Sequence, residues 1–169
     1  MDQAELRCCV AFNRAVRRAG LRRTFLVASR LGDGIVWYAL IALLPLVFGR
    51  AGMETALRMA IAGLAGLLIY RSLKRRLVRE RPFITHSSIT RAGAPLDRFS
   101  FPSGHTLHAV SFTVIVLAAF PLLAWGVAPL ALLIALSRVV LGLHYPSDVL
   151  AGALIGYGVA NAAQWLPLA

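Results

Sequence analysis

The sequence predicts an all-α, polytopic transmembrane helix bundle, and two observations carry this prediction. Of the 169 residues, 59% are hydrophobic and only 15% are charged, whereas about a quarter of the residues in a soluble domain are charged. The apolar residues also gather in long uncharged runs instead of following one face of a helix. That distribution is typical of helices surrounded by lipid, and the mean hydropathy of +0.72 agrees with it.

Five apolar runs predict the membrane spans. They cover residues 34–49, 52–73, the two halves of 106–137 on either side of Pro121, and 149–169. Asp33 is placed to cap the first of these helices. Several runs are short for a hydrocarbon core of about 30 Å, so flanking arginines and local thinning of the bilayer are expected. The last run contains Gly152 and Gly156, whose spacing predicts close helix packing within the bundle.

Residues 1–32 are predicted to form an amphipathic segment at the membrane surface, and residues 33–169 the membrane-embedded bundle. Seven arginines lie among apolar side chains between residues 4 and 30, which is too much charge for a span. The first residues lack the basic start and apolar core of a cleavable signal peptide. Cys8 and Cys9 are adjacent and the chain has no other cysteine, so we interpret them as structural or incidental.

The net charge of +11 does not predict a nucleic-acid partner. The basic residues form two blocks that flank apolar runs, and aromatic residues do not alternate with them as a base-stacking surface requires. Membrane lipids with anionic headgroups, or a phosphate group, are the partners that such blocks favour. The sequence carries no signal for an oligomeric state.

The order of the spans brings the remaining polar residues to one face of the bundle. If the N-terminus lies on side one, the 71–104 loop and the 138–148 segment both return to side one. The residues that meet there are Lys74, Arg81, Ser103, His105, Arg138, His144 and Asp148. Three cations, two histidines and a carboxylate at one membrane face predict a phosphate site with its own acid–base groups.

The spacing of these residues forms three motifs in order along the chain. They are Lys74-x6-Arg81-Pro82, Pro102-Ser103-Gly104-His105 and Ser137-Arg138-x5-His144-x3-Asp148. Together they resemble the three-part signature of the type-2 phosphatidate phosphatase superfamily. That superfamily includes lipid phosphate phosphatases, polyprenyl diphosphate phosphatases and vanadium haloperoxidases, and the resemblance covers the chain from about residue 34 onwards.

The resemblance implies a metal-independent phosphatase that needs no cofactor and that uses three catalytic residues. His144 is the implied nucleophile, which would carry the phosphoryl group. Asp148 would hold the other ring nitrogen of His144 and stabilise the imidazolium that develops. His105 would protonate the leaving oxygen and later activate water.

The resemblance also implies a phosphate-binding set made of Lys74, Arg81, Ser103, Gly104 and Arg138. The three cations would neutralise the phosphoryl oxygens, on which transition-state charge collects. Ser103 is predicted to cap the helix that begins near His105, so its hydroxyl and the Gly104 amide would lie at a positive helix end.

Other polar residues near these motifs have simpler interpretations. His108, one turn beyond His105, is predicted to be a packing or hydrogen-bonding residue, and His86 to be solvated in the loop. The cations beside Lys74 are interpreted as topology determinants or headgroup contacts; they are Arg75, Arg76 and Arg79.

The predicted substrate is a lipid phosphate, with a polyprenyl diphosphate or a polyprenyl-linked phosphate favoured. Phosphatidate and phosphatidylglycerophosphate are the alternatives within the same chemistry. A phospholipid-binding membrane protein without activity is the alternative from another class, but none of the catalytic residues of the motifs is missing. Vanadium haloperoxidases are soluble and much longer, and the charges do not line a path across the membrane as in a transporter.

The distribution of charge predicts an orientation in a bacterial-type inner membrane. Of the eighteen lysines and arginines, all but Arg50 and Arg58 belong to side one. The positive-inside rule therefore places the N-terminus and the active site in the cytoplasm and the C-terminus outside. The opposite orientation stays open if the basic loops serve to grip anionic headgroups, because their value as topology signals is then reduced.

Overall fold

The structure is a computed structural model that describes residues 3–167, and within this range the chain is helical and contains no strand. Seven α-helices follow one another: α1 (Gln3–Asn13), α2 (Ala19–Arg30), α3 (Val36–Arg76), α4 (Pro82–Thr85), α5 (Gly104–Ala119), α6 (Ala124–Val140) and α7 (Pro146–Gln164). A 3₁₀ turn joins α1 to α2, a π turn (Leu31–Ile35) joins α2 to α3, and a 3₁₀ turn (Pro121–Leu123) precedes α6. The predicted all-α class is confirmed.

Helix α3 folds back on itself at Gly49 and is a helical hairpin. Gly49 has φ +56° and ψ −130°, a backbone conformation that glycine adopts at little cost. The arms touch near the turn, where a Cβ built on Gly52 would lie 1.9 Å from the carbonyl oxygen of Leu44. The predicted runs 34–49 and 52–73 correspond to the two arms.

Helix α5 is the centre of the bundle and packs against α3, α6 and α7. Both arms of α3 contact α5 at Phe112. Its ring centroid lies 5.5 Å from that of Trp37 in the first arm, and its ring is 3.1 Å from a Cβ built on Gly63 in the second arm. The main apolar core therefore lies between the α3 hairpin, α5, α6 and α7.

Helix α7 contacts α5 at backbone distance through the two glycines of its small-residue motif. A Cβ on Gly152 would lie 2.5 Å from the carbonyl oxygen of Ser103, and a Cβ on Gly156 would lie 2.3 Å from that of Leu107. The motif therefore serves packing inside the bundle, as the sequence predicts.

Replacing Gly156 with alanine should destabilise the bundle by about 1–3 kcal/mol, since the new methyl group would press on backbone that cannot move aside. Gly158, on the same helix, is the matched control because a Cβ there meets nothing within 4 Å. Thermal unfolding in detergent measures both variants. Equal melting temperatures for Gly156→Ala and Gly158→Ala would contradict the α5–α7 contact.

The outer surface of the bundle is apolar. Large hydrophobic side chains are exposed on α3, α6 and α7, for example Leu64 (60%), Leu132 (60%) and Leu154 (64%). Trp125 and Trp165 are each 87% exposed and lie at the end of the bundle where α6 begins and α7 ends. Such a surface suits a lipid environment, and tryptophans at one end are typical of a membrane–water interface.

Two helical stretches are long and apolar enough to cross a membrane, residues 19–76 and Pro121–Val140. The first of them contains the reversal at Gly49. Helix α5 is apolar but has only 16 residues, so the number of five spans stays a prediction.

The buried side-chain amide of Asn13 connects the N-terminal segment to the rest of the protein by hydrogen bonds. Asn13 donates from Nδ2 to the carbonyl oxygens of Thr90 (3.0 Å) and Val140 (2.9 Å) and accepts from the Thr90 amide at 2.8 Å. Helices α1 and α2 both pack against α6. The membrane-surface location of residues 1–32, and the boundary after residue 32, stay predictions.

The prediction that Asp33 caps the first span is wrong. The helical backbone is broken at Gly34 (φ +130°) between α2 and α3, and no side chain caps the turn or the start of α3. The Asp33 carboxylate instead contacts His105 of α5.

Candidate active site

A cavity of about 580 Å³ opens at the end of the bundle where α3 ends, α5 begins and α6 ends. Six of the eight predicted site residues line it: Lys74, Arg81, Gly104, His105, Arg138 and His144. The cavity continues between α3 and α5 along apolar side chains that include Trp37, Ile41, Met59, Leu64 and Phe112. Ser103 and Asp148 lie behind the cavity wall and are fully buried.

Two of the cations share a carboxylate that comes from the active-site loop (residues 77–103). Lys74 Nζ lies 2.7 Å from both carboxylate oxygens of Asp97, and Arg81 Nη2 donates to Oδ1 at 2.8 Å. Burial raises the pKa of Asp97, but the hydrogen bond and charge of Lys74, together with Arg81, outweigh burial and hold this pKa below its usual range. Asp97 is therefore ionised at neutral pH and forms a bridge between the two cations.

The third cation, Arg138, is held from the side of α2. Its guanidinium is 1% exposed, and Nη1 donates to the hydroxyl of Ser29. Its Nε has no hydrogen-bond partner among residues 3–167. A buried guanidinium with donors to spare, beside two further cations, is well suited to bind an anion with several oxygens.

His144 lies in the short connection between α6 and α7 and is 2% exposed. Arg81 Nη1 lies 3.1 Å from His144 Nε2. A guanidinium can only donate, so Nε2 is the acceptor and the proton of the neutral ring is on Nδ1. Burial, reinforced by the charges of Arg138 and Arg81, lowers the pKa of His144 well below its usual range. The ring is therefore neutral, with a lone pair on Nε2.

The predicted hydrogen bond between Asp148 and His144 is not formed. His144 Nδ1 lies 3.6 Å from Asp148 Oδ2 and has no partner among the described residues. The reason is that Asp148 is held elsewhere: Oδ2 accepts from the Tyr145 amide at 2.8 Å, as part of the α7 capping box, and Oδ1 accepts from Arg79 Nη1 at 2.6 Å. Asp148 still faces the ring nitrogen that carries the proton.

His105 begins the first turn of α5, which Ser103 caps as predicted by accepting from the Thr106 amide at 3.5 Å. The ring of His105 is 8% exposed, and its Nε2 lies 2.6 Å from Oδ1 of Asp33. The site thus contains two histidines in different settings. One is neutral and surrounded by cations, and the other is paired with a carboxylate.

The match to known proteins agrees with this geometry. Residues 52–168 match the family model described as the PAP2 superfamily. This chain belongs to the PAP2 superfamily. The resemblance based on the three motifs is therefore confirmed.

Members of the PAP2 superfamily are also similar over most of the chain. The undecaprenyl-diphosphatase BcrC of Bacillus subtilis is 36% identical over 122 residues, which are 72% of this chain and 62% of that protein. The chain thus spans less than two thirds of the length of this relative. The structure of LpxE from Aquifex aeolicus is 26% identical and superposes with a TM-score of 0.80 over 95% of this chain and 94% of that one.

A third match concerns the membrane environment. The first transmembrane PAP2-type phosphatidylglycerolphosphate phosphatase from Bacillus subtilis has a TM-score of 0.72 and 26% identity, over 96% of this chain and 86% of that one. With the apolar surface of this bundle, the match identifies the fold as a transmembrane PAP2 bundle.

Three acidic residues of this PAP2 chain lie at its site although the motifs did not predict them there. Asp33 pairs with His105, Asp97 with Lys74 and Arg81, and Glu5 with Arg79 at 2.7 Å. One signal was present in the sequence. The chain has only seven acidic residues and eighteen lysines and arginines. Because carboxylates are few, each one near an apolar run was a candidate ion-pair partner for a cation of the site.

The interpretation of Arg79 as a headgroup or topology residue is wrong. Arg79 donates to Asp148, Glu5 and Ser147, and its guanidinium lies 4.0 Å from the centre of the Tyr145 ring. It therefore connects α1, the active-site loop and the start of α7. Arg75 and Arg76 are exposed, in agreement with their interpretation.

The remaining polar residues fit their simpler interpretations. His108 lies 2.9 Å from the carbonyl oxygen of Gly104 and 3.1 Å from that of Gly63, so it joins α5 to α3. His86 is half-buried in the active-site loop and does not line the cavity. Cys8 and Cys9 are free thiols, and burial beside Glu5 raises the pKa of Cys9 to about 12, so this thiol stays protonated.

Proposed function

We propose that the protein hydrolyses a phosphate monoester or diphosphate on a membrane lipid through a phosphohistidine on His144. The observation that carries this proposal is the cavity itself. Its polar end contains a neutral histidine among three cations, and its wall continues as an apolar surface between α3 and α5. Such a cavity suits a molecule with a phosphate at one end and a hydrocarbon chain at the other.

In the first step, Nε2 of His144 attacks phosphorus and the bond from phosphorus to the leaving oxygen breaks. Arg81, which donates to Nε2 in this structure, turns to a phosphoryl oxygen and so frees the lone pair. Arg81, Lys74 and Arg138 stabilise the charge on the phosphoryl oxygens. His105 in its protonated form gives its proton to the leaving oxygen.

Asp148 acts while positive charge develops on the His144 ring. Its oxygen is 3.6 Å from Nδ1, and attraction to the forming imidazolium shortens this contact to a hydrogen bond. Contacts of this kind are often long before substrate binds. The Tyr145 amide and Arg79 hold Asp148 in place for this role.

In the second step, water attacks the phosphohistidine and the phosphorus–nitrogen bond breaks. His105, now neutral, takes a proton from this water, and inorganic phosphate is released. Both histidines then have the protonation states with which they began. The three cations stabilise this transition state as they did the first.

We infer that the preferred substrate is a polyprenyl diphosphate or a polyprenyl-linked phosphate. The similarity to an undecaprenyl-diphosphatase supports this substrate class. Phosphatidylglycerophosphate and phosphatidate are the alternatives, the former supported by the similarity to a phosphatidylglycerolphosphate phosphatase. The charge distribution supports a cytoplasmic active site, with the C-terminus outside.

Phosphate release by the purified protein in detergent tests this proposal. The substrates are a polyprenyl diphosphate, a polyprenyl phosphate sugar phosphate, phosphatidylglycerophosphate and phosphatidate, compared by kcat/KM. We expect the polyprenyl substrates to give the highest value. Activity should persist in EDTA, because the carboxylates at the site are paired with cations or with His105, and vanadate should inhibit by occupying the cationic end.

Two outcomes contradict this proposal. Activity that disappears in EDTA and returns only with Mg²⁺ would exclude the metal-independent mechanism. A protein that binds these lipids but releases no phosphate from any of them would instead be a lipid-binding protein.

A further inference from the structure

Asp33 and His105 form a close pair between two parts of the chain that are 72 residues apart. Asp33 Oδ1 lies 2.6 Å from Nε2 of His105. The contact involves one ring nitrogen of His105, and Asp33 does not bind the other, Nδ1. The Asp33 side chain is 40% exposed and lines the cavity, so it borders the site itself.

The turn that carries Asp33 leaves room for this pair. A Cβ on Gly32 would lie 2.7 Å from Ile134 Cγ2 and 3.1 Å from His105 Cδ2, so a larger residue would push the ring away. Gly34 has φ +130°, which other residues rarely adopt. The turn therefore requires small residues on both sides of Asp33, at the position where the carboxylate reaches His105.

The groups around His105 disfavour a positive charge on its ring, and a carboxylate next to the ring counteracts this effect. Burial and neighbouring cations oppose a charge on this ring, yet the proposed mechanism needs it protonated as a general acid. Arg30, His108 and Arg138 act on the pair through their charges, and the other ionisable side chains that line the cavity with it are Tyr38, Tyr70, Lys74, Arg81, Asp97 and His144. Asp33 is the one carboxylate among the described residues that contacts the ring.

We propose that Asp33 is a positioning residue for His105, and this inference rests on the proposed function. Asp33 keeps its hydrogen bond to Nε2–H throughout the reaction. The proton that is transferred is therefore the one on Nδ1: it goes to the leaving oxygen in the first step and comes back from water in the second. Asp33 itself stays ionised and stabilises the charged ring.

The test is the kcat of Asp33→Asn on the best lipid substrate, with Glu54→Gln as the control. Glu54 is a carboxylate on the second arm of α3 that pairs with Arg50 and does not line the cavity. Asp33→Asn should lower kcat about 10²-fold, with KM within about threefold because Asp33 contacts no phosphate-binding cation. The control should change neither value.

Two further readouts separate positioning from a merely structural role. The alkaline limb of the kcat profile should move to lower pH in Asp33→Asn, because the ring without its carboxylate loses the catalytic proton at lower pH. In a double-mutant cycle, Asp33→Asn should have almost no further effect once His105→Ala is present, since Asp33 acts only through that ring.

A measurement on the wild-type protein does not depend on the activity of the variants. With ¹⁵N-labelled histidine, the His105 signals, assigned by their loss in His105→Ala, should show Nε2 protonated across the pH range and Nδ1 titrating. A tautomer with bare Nε2 would overturn the proposal, as would an unchanged kcat in Asp33→Asn or an undiminished effect of Asp33→Asn in the His105→Ala background. If the wild-type protein releases no phosphate from any lipid, the proposed function fails first.

Discussion

Replacing His144 with alanine should reduce turnover at least about 10⁴-fold. The variant lacks the nucleophile that receives the phosphoryl group in the first step. In the proposed mechanism water attacks only after the phosphoryl group has been transferred to Nε2, so water does not replace His144 in the first step. The measurements are kcat for lipid phosphate and the acid-labile, base-stable phosphoprotein trapped by rapid quenching. The wild-type protein should give up to one phosphoryl group per chain, and the variant none.

The control for this variant is His86→Ala, the same change in a half-buried loop histidine outside the cavity lining. It should retain near-wild-type kcat. Thermal unfolding of both variants in detergent shows whether the bundle is intact. A near-wild-type rate in folded His144→Ala would remove the nucleophile assignment, and a phosphohistidine at another position would show which residue replaces it.

Replacing Arg81 with lysine should lower kcat about 10³-fold although the charge is kept. Arg81 uses its planar fork for four contacts at once: the carboxylate and carbonyl oxygens of Asp97, the carbonyl oxygen of Leu143, and Nε2 of His144. A single ammonium group cannot reach all of them. We therefore expect a loss of stability as well, and weaker inhibition by vanadate.

The matched control is Arg98→Lys, the same substitution at an exposed position in the active-site loop. It should change kcat less than twofold. If Arg81→Lys and Arg98→Lys have equal activity, charge alone is sufficient at position 81, and the fork has no part in catalysis. The thermal unfolding of Arg81→Lys separates a catalytic loss from an unfolded protein.

The sequence was sufficient for the class and for most of the site. Composition and long apolar runs predicted the helical membrane bundle, and the three motifs placed His105, Arg138 and His144 in one cavity. These predictions succeeded because each apolar helix crosses the bundle once. The number of helices between two motifs therefore determines whether the motifs meet at the same end. Even the backbone contact of Gly156 with α5 followed from the spacing of small residues.

The contacts that sequence reasoning missed depend on the path of the connecting segments. Asp33 was interpreted as a cap because it precedes an apolar run, but the chain enters α3 through a kinked turn at Gly34 without a side-chain cap, and the Asp33 carboxylate pairs with His105 instead. Asp97 lies in a long loop, and the spacing of residues along the sequence does not predict the path of such a loop. In this structure Asp148 lies 3.6 Å from His144 Nδ1, beyond hydrogen-bond distance, because the start of α7 competes for its oxygens.

The Asp97 bridge between Lys74 and Arg81 has a consequence for how the site empties. A tethered carboxylate lies at a high effective concentration beside the two cations, so in the proposed function an arriving phosphate would have to displace Asp97 from them. After hydrolysis, Asp97 would compete with inorganic phosphate for Lys74 and Arg81. The proposed function therefore implies that the Asp97 bridge weakens phosphate binding and speeds release of the product, compared with two cations that have no carboxylate between them.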